Sequence, residues 1–146
     1  MSKMKTITIS AVLLGIAIQF VPYGKNHTNP KVVQEPKWDS PQTRALFMRA
    51  CADCHSNETK WKWYSNVAPI SWLVQSDVED GRERLNISNW RHQRHNHGDE
   101  ASAQVRSGHM PPLIYTAVHS EARLSKKEKK EFIKGLINTF GEENDE

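Results

Sequence analysis

The segment SPQTRALFMRACADCH, residues 40–55, decides the fold of this 146-residue chain. Ser40 is a favourable N-cap residue, and Pro41 suits the first helical position because the N–H that it lacks would have no partner there. Leu46 and Phe47 give the following turns an apolar face. The segment therefore predicts an α-helix that runs from Ser40 into a turn rich in cysteine and histidine.

That turn, Cys51-Ala52-Asp53-Cys54-His55, contains both cysteines of the chain. Two thiols at this spacing lie on one side of a helical turn, so both can reach one edge of a porphyrin and form thioethers with its vinyl groups. The histidine that follows then places its imidazole beneath the iron. Cys-x-x-Cys-His is the spacing of c-type haem attachment. We therefore predict one covalent haem c, bonded to Cys51 and Cys54 and ligated by His55.

Three other interpretations of the motif are weaker. A disulfide between Cys51 and Cys54 can form after export, but it closes a small loop and leaves His55 without a role. A thioredoxin-like redox pair requires a βαβ setting, and the sequence shows no sustained period-two pattern. A structural zinc site requires four ligands, of which the motif supplies three.

The opposite face of the iron takes a sixth ligand or stays open. Met110 is the favoured ligand, since the other methionines lie at the amino terminus or less than one turn before the motif. Gly108 permits an unusual backbone conformation, and Pro111 and Pro112 stiffen the loop that would hold the thioether. The alternatives are ligation by His109, an open iron site, and a Met110 that only fills a gap in the core.

The amino terminus has the layout of an export signal. Lys3 and Lys5 precede residues 6–21, which carry no charge, and Pro22 then ends the apolar helix. No clean cleavage site of small residues follows. We therefore predict residues 1–22 to be an uncleaved signal-anchor rather than a cleaved signal peptide, and a buried helix of the soluble domain is the third alternative.

The rest of the chain divides into three further parts. Residues 23–38 are polar and rich in proline, which predicts a linker, residues 39–141 form the predicted haem-binding domain, and residues 142–146 form an acidic tail. Because positive charge keeps the start of the chain in the cytoplasm, the domain is expected on the periplasmic side of the bacterial inner membrane. It would be periplasmic and free if the signal were cleaved.

The net charge of +3 comes from the amino terminus alone, since Lys3, Lys5 and Lys25 are accompanied by no acidic residue there. The remainder of the chain is formally neutral and has no long basic run. Nucleic-acid binding is therefore not expected.

Three further helices are expected after the motif. One begins near Ile70, and a second runs roughly from Asn89 to Arg106 with Ser88 as its cap. The last begins at Ser125, which forms a capping box with Glu128, and it ends at a glycine. Its apolar face consists of Phe132, Ile133, Leu136, Ile137 and Phe140. The sequence thus predicts an all-α domain with long loops. Its order of elements resembles the cytochrome c fold, and this resemblance implies that the first and last helices of the domain cross.

Several blocks of the sequence together resemble the bacterial haem-binding domain family. They are Cys51 to Thr59, Trp61 to Tyr64, Ala68 to Trp72, Gly81-Arg82, Leu85-Asn86, Gly108 to Pro112, Tyr115, His119 and Leu124-Ser125. The resemblance covers roughly residues 36–140, and the His-rich stretch Arg91 to His97 is one departure from it. It implies a small exported protein with a c-type haem motif and no defined small-molecule substrate.

Other side chains have a functional interpretation beside a structural one. Aromatic residues after the motif either wall the porphyrin or pack in the core: Trp61, Trp63, Tyr64 and Trp72. Arg82 or Arg84 either pairs with a haem propionate or faces solvent. His92, His95 and His97 are expected to be solvated rather than a metal site, and His119 is expected at the surface or in a loop.

The leading functional hypothesis is a monohaem c-type cytochrome that transfers single electrons between redox partners at the inner membrane and is not an enzyme. The second is a haem-based sensor or ligand-binding module, which requires a displaceable or absent Met110. The third is a small peroxidase, which requires an open iron site with a distal base, for which His109 is the only obvious residue.

Overall fold

In a computed structural model, which describes residues 2–142, the regular secondary structure is helical and no β-strand forms among those residues. The all-α prediction is confirmed. In chain order the helices are α1 (Lys3–Ala17), α2 (Pro41–Ala50), α3 (Ala52–His55), α4 (Ile70–Arg84), α5 (Ala101–Ser107), α6 (Leu113–Val118) and α7 (Lys126–Phe140). Short 3-10 turns lie at Ile18–Phe20, Trp63–Asn66, Trp90–His92 and Ser120–Ala122.

The start of α2 follows from its sequence. The Ser40 hydroxyl accepts a hydrogen bond from the N–H of Thr43 at 3.1 Å, and Pro41 occupies the first turn, as predicted. The helix buries Leu46 and Phe47 and gives way at Cys51 to the single turn of α3. The motif is therefore held directly against the core.

The last helix also has the predicted ends. Ser125 and Glu128 form a reciprocal capping box, and Gly141, with φ of +90°, follows the last turn. Helix α7 packs on α2 and α5. At the crossing with α2, Gly135 lies so close to Thr43 that a Cβ atom would overlap the threonine side chain. The predicted crossing of the first and last helices of the domain is thus present.

The core between these helices is a single apolar cluster. Phe47 and Phe132 are its largest side chains, with ring centroids 6.4 Å apart, and Trp38 covers Phe47 from outside at 5.3 Å. The buried members are Leu46, Phe47, Ala52, Leu85, Ile87, Val105, Phe132 and Leu136.

The predicted helix from Asn89 to Arg106 is wrong. A 3-10 turn at Trp90–His92 is followed by irregular chain, and α5 begins only at Ala101. The hydroxyl of Ser88 does not cap a helix, because it accepts a hydrogen bond from the N–H of Asn57 at 2.9 Å. The Ser88 hydroxyl, which the sequence pattern assigned to a helix N-cap, is therefore used in a contact with a distant segment of the chain.

Residues 23–38 contact the domain along their length. The N–H groups of Val33 and Gln34 donate to the carbonyl of Ser88, and Gln34 forms an isolated parallel bridge with Asn89. Of the predicted acidic tail, Glu142 forms an ion pair with Arg106 at 2.8 Å, and residues 143–146 lie outside the described residues.

Helix α1 and the 3-10 turn after it form a continuous apolar segment, Lys3–Phe20, with a mean hydropathy of 1.3. None of its residues is buried against the domain. By length and composition it is able to cross a membrane, and a signal sequence at this position would have the same properties.

Candidate functional site

The turn of α3 places the imidazole of His55 against the end of α4. Its Nδ1 lies 3.0 Å from the carbonyl oxygens of both Gly81 and Leu85. Two acceptors at Nδ1 fix the proton on that nitrogen, so Nε2 keeps its lone pair. Burial lowers the pKa of His55, and this favours the neutral ring. A neutral imidazole oriented by backbone carbonyls through its other nitrogen is the usual state of a metal-binding histidine.

The close approach of α4 to the motif requires a glycine. A Cβ on Gly81 would lie 2.5 Å from the carbonyl oxygen and 2.9 Å from the Cβ of Cys54. The absence of a side chain lets the Gly81 carbonyl reach His55. Gly81 is thus a positioning residue for the imidazole.

Both cysteines of the motif are free thiols. Burial raises the pKa of Cys51 and of Cys54 to about 12, with the carboxylate of Asp77 adding to the shift at Cys54. At neutral pH both are therefore protonated. A thioredoxin-like pair works through a thiol of lowered pKa, and this environment has the opposite effect.

A cavity of about 400 Å³ opens beside the motif and lies within the size range of small-molecule and cofactor sites. Its walls are largely apolar, with Phe47, Val105 and Leu136 among them. All four residues predicted to bind the cofactor line this one cavity: Cys51, Cys54, His55 and Met110.

Met110 reaches the cavity from the loop between α5 and α6. Gly108 ends α5 in the left-handed region, with φ of +84°, and the N–H of Met110 donates to the carbonyl of Gln104 at 3.1 Å. The neighbouring His109 is exposed and lies within hydrogen-bond distance of Ser107 at 3.0 Å. His109 is not among the residues that line the cavity.

The sequence model of the haem-binding domain family matches residues 13–138, which is most of the chain. The chain belongs to the haem-binding domain family. The resemblance deduced from the motif blocks is thereby confirmed, and the protein is a haem-binding protein. Comparisons with curated proteins and with solved structures gave no match.

The cavity of this haem-binding domain fits the cofactor of its family. Its apolar walls suit a porphyrin, and the Nε2 atom of His55 has no hydrogen-bond partner among the described residues. The two thiols are unpaired and line the same cavity. An apolar site with one oriented imidazole and one thioether offers the ligand types that proteins use for haem iron.

Charged side chains add a polar part to the cavity wall. Arg84 lines the cavity, whereas the guanidinium of Arg82 donates to the carbonyls of Ser56 and Thr28 and to the side chain of Asn29. Burial lowers the pKa of Arg82. Through these hydrogen bonds Arg82 stabilises the loop after the motif. Of the two arginines considered for a propionate, only Arg84 lines the cavity.

The aromatic residues that follow the motif lie away from the cavity. Trp61 stacks on His27 with ring centroids 4.5 Å apart, Trp63 is 78% exposed, and Trp72 packs beside Gly24. Their positions do not support the interpretation in which they wall the cofactor, and the aromatic residues Phe47 from α2 and Tyr115 from α6 line the cavity instead.

His119 lies in the loop between α6 and the 3-10 turn Ser120–Ala122, which is one of the two places predicted for it, but it is not at the surface, because only 3% of it is exposed. Its ring stacks on Tyr115 with centroids 4.1 Å apart, and its Nε2 forms a short hydrogen bond with the hydroxyl of Tyr64. The Tyr115 hydroxyl donates to Asp53 Oδ2 at 2.8 Å, inside the motif. Burial, followed by the charge of Asp53, raises the pKa of Tyr115. The spacing of four residues between Tyr115 and His119 was the available sequence signal for this pair.

The histidine-rich stretch forms no metal site. Within residues 2–142 no group of three or more His, Cys, Asp or Glu side chains has the arrangement to hold a metal ion. His92 and His95 are exposed, and His97 pairs with Glu100 at 2.7 Å at the edge of the cavity.

Proposed function

We propose that this haem-binding domain is an exported, membrane-tethered monohaem c-type cytochrome that carries single electrons and has no substrate of its own. The observation that carries the proposal is the meeting of Cys51, Cys54, His55 and Met110 at one apolar cavity. Met110 follows His55 by 55 positions in the sequence and lies in a different loop. Chance would seldom bring both thiols, the oriented imidazole and the thioether to one apolar cavity.

The residues have distinct roles in holding the cofactor. Each thiol of Cys51 and Cys54 would add across one vinyl group, forming a sulfur–carbon bond while the thiol hydrogen passes to the other vinyl carbon. His55 Nε2 would be the proximal ligand and Met110 Sδ the distal one. Bound haem supplies a one-electron couple between ferrous and ferric iron.

The surroundings of Met110 support its role as the second residue that would hold the haem iron. Methionine opposite histidine is the ligand pair of electron-carrying cytochromes and raises the potential. The hydrogen bond from Met110 N–H to Gln104 and the two prolines after it restrict the loop. The peroxidase hypothesis requires His109 as the distal base, but His109 is exposed to solvent and does not line the cavity.

Tethering rests on the apolar helix α1. Lys3 and Lys5 at its start favour a cytoplasmic amino terminus, which leaves the domain on the periplasmic side of the inner membrane. An anchored cytochrome meets membrane-bound redox partners at a raised effective concentration. Redox proteins of that membrane are the partners that we propose.

Optical spectroscopy tests the ligand assignment. The full chain, produced with a haem-maturation system, should keep one haem mass per chain after denaturation, and its ferric form should show the weak far-red sulfur-to-iron band. Met110→Ala should abolish the band and admit carbon monoxide to the ferrous form. Met48→Ala, a methionine on the core side that does not line the cavity, is the matched control and should keep the band.

Two outcomes would contradict the proposal. Protein that is colourless after denaturing extraction would refute covalent attachment through Cys51 and Cys54. Wild-type protein that lacks the far-red band and binds carbon monoxide rapidly would instead support the haem-based sensor as the function.

A further inference from the structure

The end of the apolar helix is bonded to the haem-binding domain. The Gln19 side-chain amide pairs with both backbone groups of Ala68, since its Nε2 donates to the Ala68 carbonyl and its Oε1 accepts from the Ala68 N–H, each at 3.0 Å. The Lys25 ammonium in turn donates to the carbonyl of Gln19. The domain is therefore attached at a defined place on the helix end.

The next residues continue this attachment. Gly24 crosses the start of α4 so closely that a Cβ atom would lie 2.7 Å from the backbone carbonyl of Ser71. The hydroxyl of Tyr23 donates to Glu79 at 3.1 Å, two turns further along α4. The residues that follow the apolar segment therefore contact α4 directly. These contacts fix the orientation of α1 relative to α4.

Apolar side chains are exposed around this point of attachment. Trp63, Val67, Ile70 and Leu73 are 78%, 42%, 48% and 47% exposed, and we call these four residues the anchor-side patch. Val67 directly precedes Ala68, to which Gln19 is bonded. Residues 63–76 contain no Asp, Glu, Lys or Arg, although a quarter of the chain is charged.

We propose that the anchor-side patch rests in the interfacial layer of the bilayer, where lipid headgroups meet the acyl chains. The proposal rests on the proposed tethering by α1. The Lys3–Phe20 segment has 18 residues and a length of about 27 Å, close to the ~30 Å hydrocarbon core, so Gln19 lies near its outer boundary. Ala68 and the patch beside it are then at headgroup depth.

The chemistry of the patch fits that layer. Tryptophan concentrates where a membrane meets water because its ring is apolar and its N–H is polar. Val67, Ile70 and Leu73 would bury apolar surface at the same level without bringing a charge into it. A lipid surface is favoured over a protein partner because the patch is continuous with the membrane-spanning segment through the Gln19 bonds.

Such seating would fix the orientation of the haem. Helix α4 carries Ile70 and Leu73 at its start and Gly81, which positions the proximal histidine, near its end. With the start of α4 on the membrane, the cavity stays at a set height and angle above it. The cofactor would then meet membrane partners in one orientation. A domain connected to α1 only by a flexible linker would present it in many orientations.

Lipid photolabelling tests the seating. The haem-loaded full chain is placed in vesicles of phosphatidylcholine and phosphatidylglycerol that contain a phospholipid with a diazirine near the glycerol, and labelled peptides are identified by mass spectrometry. We expect labels within residues 3–22 and also within residues 63–73. Labels confined to residues 3–22 would overturn the seating and leave tethering intact. Labels in neither segment would overturn both.

Matched variants test whether the anchor-side patch binds the domain to the bilayer surface. Ile70→Asp places a charge in the patch and should remove labels from residues 63–73 while the anchor stays labelled. Val33→Asp places the same charge at an exposed valine outside the patch and should change nothing. Gln19→Ala removes the two hydrogen bonds that join the helix end to Ala68, and we expect about a tenfold shift of the domain away from the membrane-bound orientation. Unchanged patch labelling in Ile70→Asp would contradict the proposal.

Discussion

Substitution of Gly81 by alanine tests whether the close contact between α4 and the motif holds the haem site together. The added methyl would lie 2.5 Å from the Cys54 carbonyl oxygen and 2.9 Å from the Cys54 Cβ. The first of these atoms belongs to the backbone and cannot rotate away. Helix α4 must therefore move outward and carry the Gly81 carbonyl away from His55 Nδ1.

Two opposing contributions set the size of the effect. Alanine is the better helix former by about 1 kcal/mol, which stabilises the variant. Overpacking of a close contact costs about 1–3 kcal/mol, and weakening the bond to His55 costs about 1 kcal/mol. The free energy of unfolding should therefore fall by about 1–3 kcal/mol relative to the wild type.

Urea unfolding of the full chain in detergent micelles, followed by far-ultraviolet circular dichroism, measures this difference. Gly15→Ala is the matched control, since it adds the same methyl inside a helix where no atom lies within 4 Å. Gly81→Ala should also reduce the fraction of chains that carry haem. A Gly81→Ala protein as stable as the wild type, with full haem loading, would refute the role assigned to the contact.

Three further variants test other contacts of the fold. Gly135→Ala should lower the free energy of unfolding by about 1–3 kcal/mol, because the new methyl overlaps Thr43 at the α2–α7 crossing, and Thr43→Ala should recover part of the loss in urea titrations. Tyr115→Phe removes the hydroxyl that donates to Asp53, which should lower the free energy of unfolding by about 1–2 kcal/mol. The variant should therefore have a lower thermal midpoint than the wild type. Hydrogen bonds from the start of α7 hold the pKa of Glu128 down at about 2, so its stabilisation is complete above its usual pKa near 4.5 and is lost as the pH falls towards 2. Glu128→Gln should therefore flatten the loss of stability between pH 5 and pH 2, and an unchanged acid titration would show that the carboxylate does not act in this way.

The parts of the fold that the sequence predicted well depend on neighbours along the chain. Ser40 and Ser125 cap helices through groups three residues away, and the spacing of Cys51, Cys54 and His55 lies within one turn. Local geometry therefore decides these features. Their prediction required no knowledge of how distant segments meet.

The errors arise where distant segments compete for one group or cover one residue. Ser88 was expected to cap a helix, but Asn57 uses its hydroxyl. Trp61 and Trp63 follow the motif closely in sequence, yet the chain turns away after Ser56 and returns to the cavity only with the second half of α4. The requirement for glycine at position 81 depends on Cys54, which lies in another helix, and no local pattern contains that information.

Contacts around Tyr115 and His119 connect the two segments that line the cavity. Asp53, between the two cysteines, accepts the hydrogen bond of Tyr115, and α6, which carries Tyr115, begins three residues after Met110. The segment that bears the thioether is thus fastened to the segment that bears the thiols. His119 stacks on the ring of Tyr115 and is itself held by a hydrogen bond with Tyr64. The distance across the cavity therefore depends on protein contacts, so the fold itself holds at one cavity the two segments that we propose as sources of the haem ligands.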